Sequence, residues 1–229
     1  MPADRAPRQL TLSLPVPARL SAADFIVGAS NKAALEHVRA PDRWPSGVLY
    51  LQGPPGSGKS HLVEVFRALT DAAVVAGRDL AGHTPTELLA GRDLAIDGAD
   101  EADLTTLFHA LNAAREAGRR VLLTGQEAPS EWAAPLPDLA SRLRAATPAE
   151  IAPPDDELLQ RVLSKLFADR QIAVMPDVVA YCLARMDRSF EAARALAAAL
   201  DEVSLAHGRA ITKALARPLL SLSDDEDEV

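Results

Sequence analysis

The sequence predicts an α/β fold: a parallel sheet around a phosphate-binding loop, followed by a small all-α region. Three observations lead there. Short apolar runs alternate with helical patterns between residues 48 and 124. A complete G-x-x-x-x-G-K-[ST] motif, Gly53-Pro54-Pro55-Gly56-Ser57-Gly58-Lys59-Ser60, sits between the first run and its helix. Beyond a proline cluster at 148, 153 and 154 only helical periodicity remains. Strands separated by helices imply a mostly parallel sheet covered on both faces.

In chain order, residues 1–8 read as a flexible leader, and Gln9-Leu10-Thr11-Leu12-Ser13-Leu14-Pro15 alternates apolar and polar as a short extended segment does. Pro15 and Pro17 keep it from becoming helical. Residues 24–39 read as a loop and then a helix with Ala33, Ala34, Leu35 and Val38 on one side. The predicted strands are 48–52, 72–76, 94–97 and 121–124. Leu62, Val63, Val65, Phe66 and Leu69 mark the helix after the loop, and Leu104, Leu107, Phe108 and Leu111 another, with Gly118 near its end as a C-cap glycine. Asp155 and Asp156 open a helix at the end that favours anions, with Leu158, Leu159, Val162, Leu163, Leu166 and Phe167 on its apolar face. Further helices are expected over 176–186, 190–206 and 211–220.

The 229 residues are 48% hydrophobic, enough to bury a core and too much for a wholly disordered chain. Aromatics are only 4%, against an aromatic stacking platform for single strands. The net charge is −8. Without the five acids at 224–228, where disorder is expected, 27 acidic residues face 24 basic ones, a net −3. That lacks the broad basic footprint of a non-specific DNA binder. The single cysteine, Cys182, excludes an intrachain disulfide and a cysteine-based zinc cluster, and it reads as a packed small hydrophobe. No apolar h-region opens the chain and no run approaches membrane-spanning length, so a cytoplasmic protein with no membrane partner is expected.

The phosphate-binding loop needs its glycines so that backbone N–H groups can wrap an anion at a helix N-terminus. Lys59 would reach the outer phosphates and Ser60 would ligate Mg2+. Asp97, ending an apolar strand, fits the second acidic element of such proteins, although an Asp there also suits an ordinary turn. Many P-loop ATPases carry an activating carboxylate at the next position. Here it is Gly98, so intrinsic hydrolysis should be weak at most unless Asp100 or Glu101 substitutes. Thr124, at the end of the fourth strand, is a candidate γ-phosphate sensor or a plain strand end.

Three stretches carry a family resemblance: Phe25-Ile26-Val27-Gly28-Ala29-Ser30-Asn31-Lys32, Gly58-Lys59-Ser60-His61-Leu62, and Leu136-Pro137-Asp138-Leu139-Ala140-Ser141-Arg142-Leu143. They resemble the AAA+ module of the bacterial replication initiator DnaA, and more closely the Hda (HdaA) family of DnaA-related regulatory inactivators, over roughly residues 9–220. The resemblance implies an AAA+ nucleotide-binding domain over 21–153 and an α-helical lid over 154–220, between a clamp-binding segment (1–20) and an acidic tail (221–229). It implies ATP or ADP as cofactor, with Phe25, Ile26 and Val27 lining the adenine pocket, Pro55 to His61 around the phosphates, and Arg142 as an arginine finger acting in trans. The implied partners are DnaA and the sliding clamp, the beta subunit of DNA polymerase III, with Gln9, Leu10, Leu12 and Leu14 docking on the clamp. Homo-oligomerisation stays open. The implied function is negative regulation of replication initiation, by stimulating ATP hydrolysis in DnaA.

The family's lid-helix sensor arginine falls on Glu191, with Arg188 and Arg194 one turn to either side and Arg194 preferred. DnaA continues into a helix-turn-helix domain. Only Ser221 to Val229 follow the lid here, so no sequence-specific DNA binding is expected. Two other readings stay open: a helicase-loader-like AAA+ ATPase, and a P-loop phosphotransferase with an arginine-bearing lid.

Overall fold

The computed structural model describes residues 21–207 and 210–220. The expected clamp peptide and the acidic tail both lie outside the described residues. Helix α1 (Lys32–Val38) precedes β1 (Val48–Gln52), α2 (Lys59–Thr70), β2 (Ala73–Ala76), α3 (Pro85–Leu89), β3 (Leu94–Asp97), α4 (Leu104–Glu116) and β4 (Val121–Gly125). Next come α5 (Pro129–Trp132), α6 (Pro137–Arg144), β5 (Thr147–Glu150), α7 (Asp156–Asp169), α8 (Pro176–Leu183), α9 (Phe190–His207) and α10 (Lys213–Leu220). The sheet has five parallel strands in the order β2-β3-β4-β1-β5.

The fifth strand corrects the sequence reading, which had four and took Pro148 as a boundary mark. β5 lies at the sheet edge, where Pro148 is opposite Tyr50. An edge strand tolerates a proline because its N–H can face away from the ladder. The strand Thr147-Pro148-Ala149-Glu150 carries too little apolar character to be read from pattern alone.

The pleat assigns the core. Leu49 and Leu51 of β1, Ala95 of β3 and Leu122 of β4 pack with Leu35, Val38, Leu62 and Phe66 of α1 and α2. Their neighbours in sequence, Tyr50, Leu94, Ile96, Val121 and Leu123, point to the opposite face, toward Leu107 and Leu111 of α4 and Leu139 and Leu143 of α6. Alternate residues of a strand face opposite ways, so unbroken apolar runs are what a sheet covered on both sides requires. Residues from 158 onward form a third cluster, with Leu159, Leu163, Phe167, Val179, Ala197 and Leu200 at its centre. Cys182 is buried in it, and burial pushes its thiol pKa up.

Helix ends follow local chemistry. Asp103 caps α4 through Thr106 N–H, and Asp155 caps α7 through Leu158 N–H, both at hydrogen-bond distance. Gly118 follows α4 at φ 64°, where a side chain would be strained. Among the described residues no helix is long and apolar enough to cross a membrane.

Candidate functional site

Parallel sheets bind ligands beyond the carboxyl ends of their strands. Here the register brings the ends of β1, β3 and β4 together, with Leu51 opposite Thr124 and Gln52 opposite Gly125. The loop after β1 leads into α2 through Gly56 (φ 67°) and Gly58 (φ 102°). Both positions demand glycine twice over. A Cβ on Gly56 would lie 2.9 Å from Ser189 Cβ, and one on Gly58 would lie 3.3 Å from the Phe190 ring. Phe190 N–H also donates to the Gly56 carbonyl at 3.1 Å. The first turn of α9 is therefore seated on the loop.

Lys59 donates to the carbonyls of Gly53 (2.6 Å) and Pro54 (2.8 Å). Burial lowers its pKa, while the nearby carboxylates of Asp97 and Asp100 act in the other direction. The Ser57 hydroxyl is buried within the loop without a hydrogen-bond partner. An unmet donor beside a glycine-lined helix N-terminus fits a phosphate group. Pro55 on the same loop and Ser60 in the first turn of α2 are exposed.

Thr124 is fully buried. Its hydroxyl donates to Asp97 Oδ1 at 2.6 Å and accepts from Gly98 N–H at 2.9 Å, so it fixes both the carboxylate and the backbone that follows. Among the described residues no group of three or more His, Cys, Asp or Glu side chains forms a metal site. Ser60 and Asp97 carry oxygen donors of the kind Mg2+ accepts when phosphates and water complete its shell.

A cavity of about 290 Å³ opens beside the loop, between the segment before α1 and helices α7 and α9. Phe25, Ile26, Gly58, His61, Phe190 and Arg194 are among its walls. Phe25 meets His61 edge to face, with ring centroids 5.1 Å apart. His61 Nε2 donates to the Ser21 carbonyl at 2.7 Å, which assigns the proton to that nitrogen. Burial is the largest of the influences that lower the His61 pKa, and Arg194 adds to it.

Val27 is not in this wall. Its carbonyl accepts from Arg161 at 2.9 Å, and its side chain packs with the α1–α2 cluster. Ile26 packs instead against the α7–α10 cluster. Phe25 and Val27, two residues apart, both pack with the α1–α2 cluster, but only Phe25 also reaches the cavity. Arg188 also lies outside it, paired with Asp156 at 2.8 Å, whereas Arg194 lines it. Glu191 sits at the loop itself, its Cβ 3.5 Å from where a Cβ on Gly56 would stand.

Arg142 stands apart from this centre, on α6. Its guanidinium lies 5.3 Å from the centroid of the Phe108 ring and makes no ion pair or hydrogen bond to the described residues.

Sequence reasoning gave no site role to several residues that shape the cavity. Asn31, 1% exposed, donates to the Ile26 carbonyl at 3.0 Å and accepts from Gly28 N–H at 2.9 Å, fixing the wall that carries Phe25 and Ile26. Lys165 joins Asp24 (2.9 Å) and Asp169 (2.6 Å) at the cavity edge. An Asn just before a helix signals a local turn, but nothing in the sequence announces that Lys165 meets Asp24.

No family model matches the sequence. Solved structures do resemble the chain. Domain III of the replication initiation protein DnaA from Thermotoga maritima aligns with TM-score 0.79 and 18% identity, over 91% of this chain and 98% of that one. AMPPCP-bound DnaA from Aquifex aeolicus aligns with TM-score 0.69 and 18% identity, over 90% and 70%. RuvB from Thermotoga maritima, a Holliday junction branch migration motor, aligns with TM-score 0.66 and 19% identity, over 88% and 72%. The chain has a DnaA-like AAA+ fold, in which the parallel sheet carries the P-loop and a helical region follows it.

Proposed function

We propose that this chain is an adenine-nucleotide-binding AAA+ regulator that docks on the DNA-loaded sliding clamp and stimulates ATP hydrolysis by DnaA. The observation that carries the reading is a complete P-loop together with Arg142 on α6, whose guanidinium lies over the Phe108 ring and makes no ion pair to the described residues. Phe25 and Ile26 receive the adenine, Arg194 approaches from α9, and Lys59 exchanges its two loop carbonyls for the outer phosphates. Ser60 and Asp97 would hold Mg2+, which would supply neutralisation of phosphate charge. Residues 21–153 form the nucleotide-binding unit and 154–220 the lid, and the protein works in the cytoplasm without reading DNA sequence.

A stacking partner orients a guanidinium without consuming its N–H donors, which leaves the fork free for a phosphate on another molecule. Arg142 thus serves the γ-phosphate of ATP held by DnaA. The AMPPCP bound to Aquifex aeolicus DnaA supports an adenine nucleotide for this fold.

The test follows phosphate release from ATP–DnaA with DNA-loaded clamp and this protein. An arginine finger contributes roughly 10³–10⁵ in rate in GTPases. Arg142→Ala is expected to lose most of the stimulation while keeping nucleotide affinity and clamp retention. Undiminished stimulation by the variant would place the finger elsewhere, with Arg144 the next residue to change. A wild-type protein that neither binds clamp nor stimulates DnaA, but loads helicase, would favour the helicase-loader reading.

A further inference from the structure

Gly98 leaves the end of β3 without the carboxylate that many P-loop ATPases place there, but the chain turns back on itself immediately afterwards. Gly98 takes φ 79°, and a tight 3-10 turn over Ala99–Glu101 returns Asp100 toward the strand ends. Asp100 Oδ2 accepts from Gln126 N–H at 2.7 Å. Its Cγ lies 3.4 Å from where a Cβ on Gly125 would stand, and Gly125 is paired with Gln52, the residue directly before the P-loop. Asp100 is half-buried, and Oδ1 makes no hydrogen bond to the described residues. Asp97 and Asp100 are the carboxylates that act on Lys59. Glu101 is exposed, and its side chain lies over Gly98 and makes no hydrogen bond to the described residues.

We propose that Asp100 is a catalytic residue for this chain's own slow ATP hydrolysis, orienting the attacking water in place of the side chain that Gly98 lacks. The inference rests on the nucleotide-binding reading above. Oδ2 is anchored on the Gln126 amide, at the end of the strand that carries Thr124, while Oδ1 accepts a hydrogen bond from the water and orients it. The water oxygen forms the new bond to the γ-phosphorus. The bond to the β–γ bridging oxygen breaks, its electron pair leaving with ADP, and the water's proton ends on the released phosphate.

Asp100→Asn and Asp100→Ala separate catalysis from loop support. Asn retains an acceptor for the Gln126 amide but turns an N–H₂ donor toward the water, whereas Ala removes both functions. Single-turnover hydrolysis is followed beside nucleotide affinity by calorimetry and hydrogen exchange at the Gln126 amide. At least a tenfold loss of turnover is expected in both variants, a conservative fraction of what a positioned proton acceptor contributes. Affinity should stay within about threefold of wild type, and Gln126 protection should persist in Asp100→Asn. Turnover that falls only in Asp100→Ala, together with Gln126 protection, would show a structural cap and overturn the proposal. So would full turnover in Asp100→Asn, or wild-type turnover no greater than that of Lys59→Ala. Unchanged nucleotide affinity in Lys59→Ala would instead defeat the underlying nucleotide reading, so the two failures are distinguishable.

Discussion

Lys59 and His61, two residues apart on α2, are held in different ways. Lys59 is a charge held over its own loop by two carbonyls. His61 is a neutral donor clamped on the Ser21 carbonyl, and its depressed pKa gives a pH dependence. The folded chain binds this proton less readily than the unfolded chain does. The stabilising contribution is therefore complete above the ordinary histidine value of about 6.5 and is lost as pH falls from there through the lowered folded value. Thermal melts at pH 7.5 and pH 5.5 should show a smaller drop for His61→Gln than for wild type; an equal drop would mean that His61 does not carry it. Arg142→Lys belongs to the same scale. An ammonium lacks the planar fork that lies over Phe108 and that the proposed role would use to grip two phosphate oxygens, so it should restore little of the stimulation lost in Arg142→Ala. Substantial rescue by lysine in the phosphate-release assay would mean that only the charge is used.

The elements hold the site through backbone closeness as much as through side chains. A Cβ on Gly77, which follows β2, would collide with the Gly98 carbonyl, just past β3. That carbonyl belongs to the turn that returns Asp100 to the strand ends. Gly77→Ala should therefore destabilise the fold by about 2–3 kcal/mol, the upper range for forcing extra volume into a packed place. Urea unfolding reads this as a lower midpoint with unchanged slope, and a midpoint within error of wild type would show that the two turns part easily. On the other strand, Tyr50 occupies the space that a Cβ on Gly125 would need, and its hydroxyl donates to the Glu127 carbonyl at 2.6 Å. Burial, the dominant cause, pushes its pKa up to about 12, so it remains a donor throughout the physiological range. β4 thus ends in a loop pinned from two sides, by Tyr50 and by Asp100.

Across the whole molecule, the P-loop, the cavity and Arg142 occupy described structure, while the Gln9–Leu14 peptide lies outside it. A peptide that serves the clamp and not the fold should be separable from nucleotide binding. The double variant Gln9→Ala, Leu10→Ala is expected to lose clamp retention and keep its melting temperature and nucleotide affinity; retention at wild-type affinity would reassign the peptide to the fold. Most of the sheet was legible in the sequence, because strands covered on both faces must be apolar throughout and helices between them must show one apolar stripe. The P-loop was legible for a similar reason, since wrapping an anion with backbone requires glycines at fixed spacing. Local signals of that kind determined the α/β class, the helical region after it and the place of Lys59. Tertiary structure alone revealed β5, whose proline is acceptable only because the strand lies at an edge. It alone turned Val27 out of the cavity, drew Arg188 to Asp156 and left Arg194 in the wall. It also brought Asp100 onto the Gln126 amide across 26 residues of sequence. Those outcomes depend on which distant groups meet, and neither periodicity nor spacing encodes such meetings.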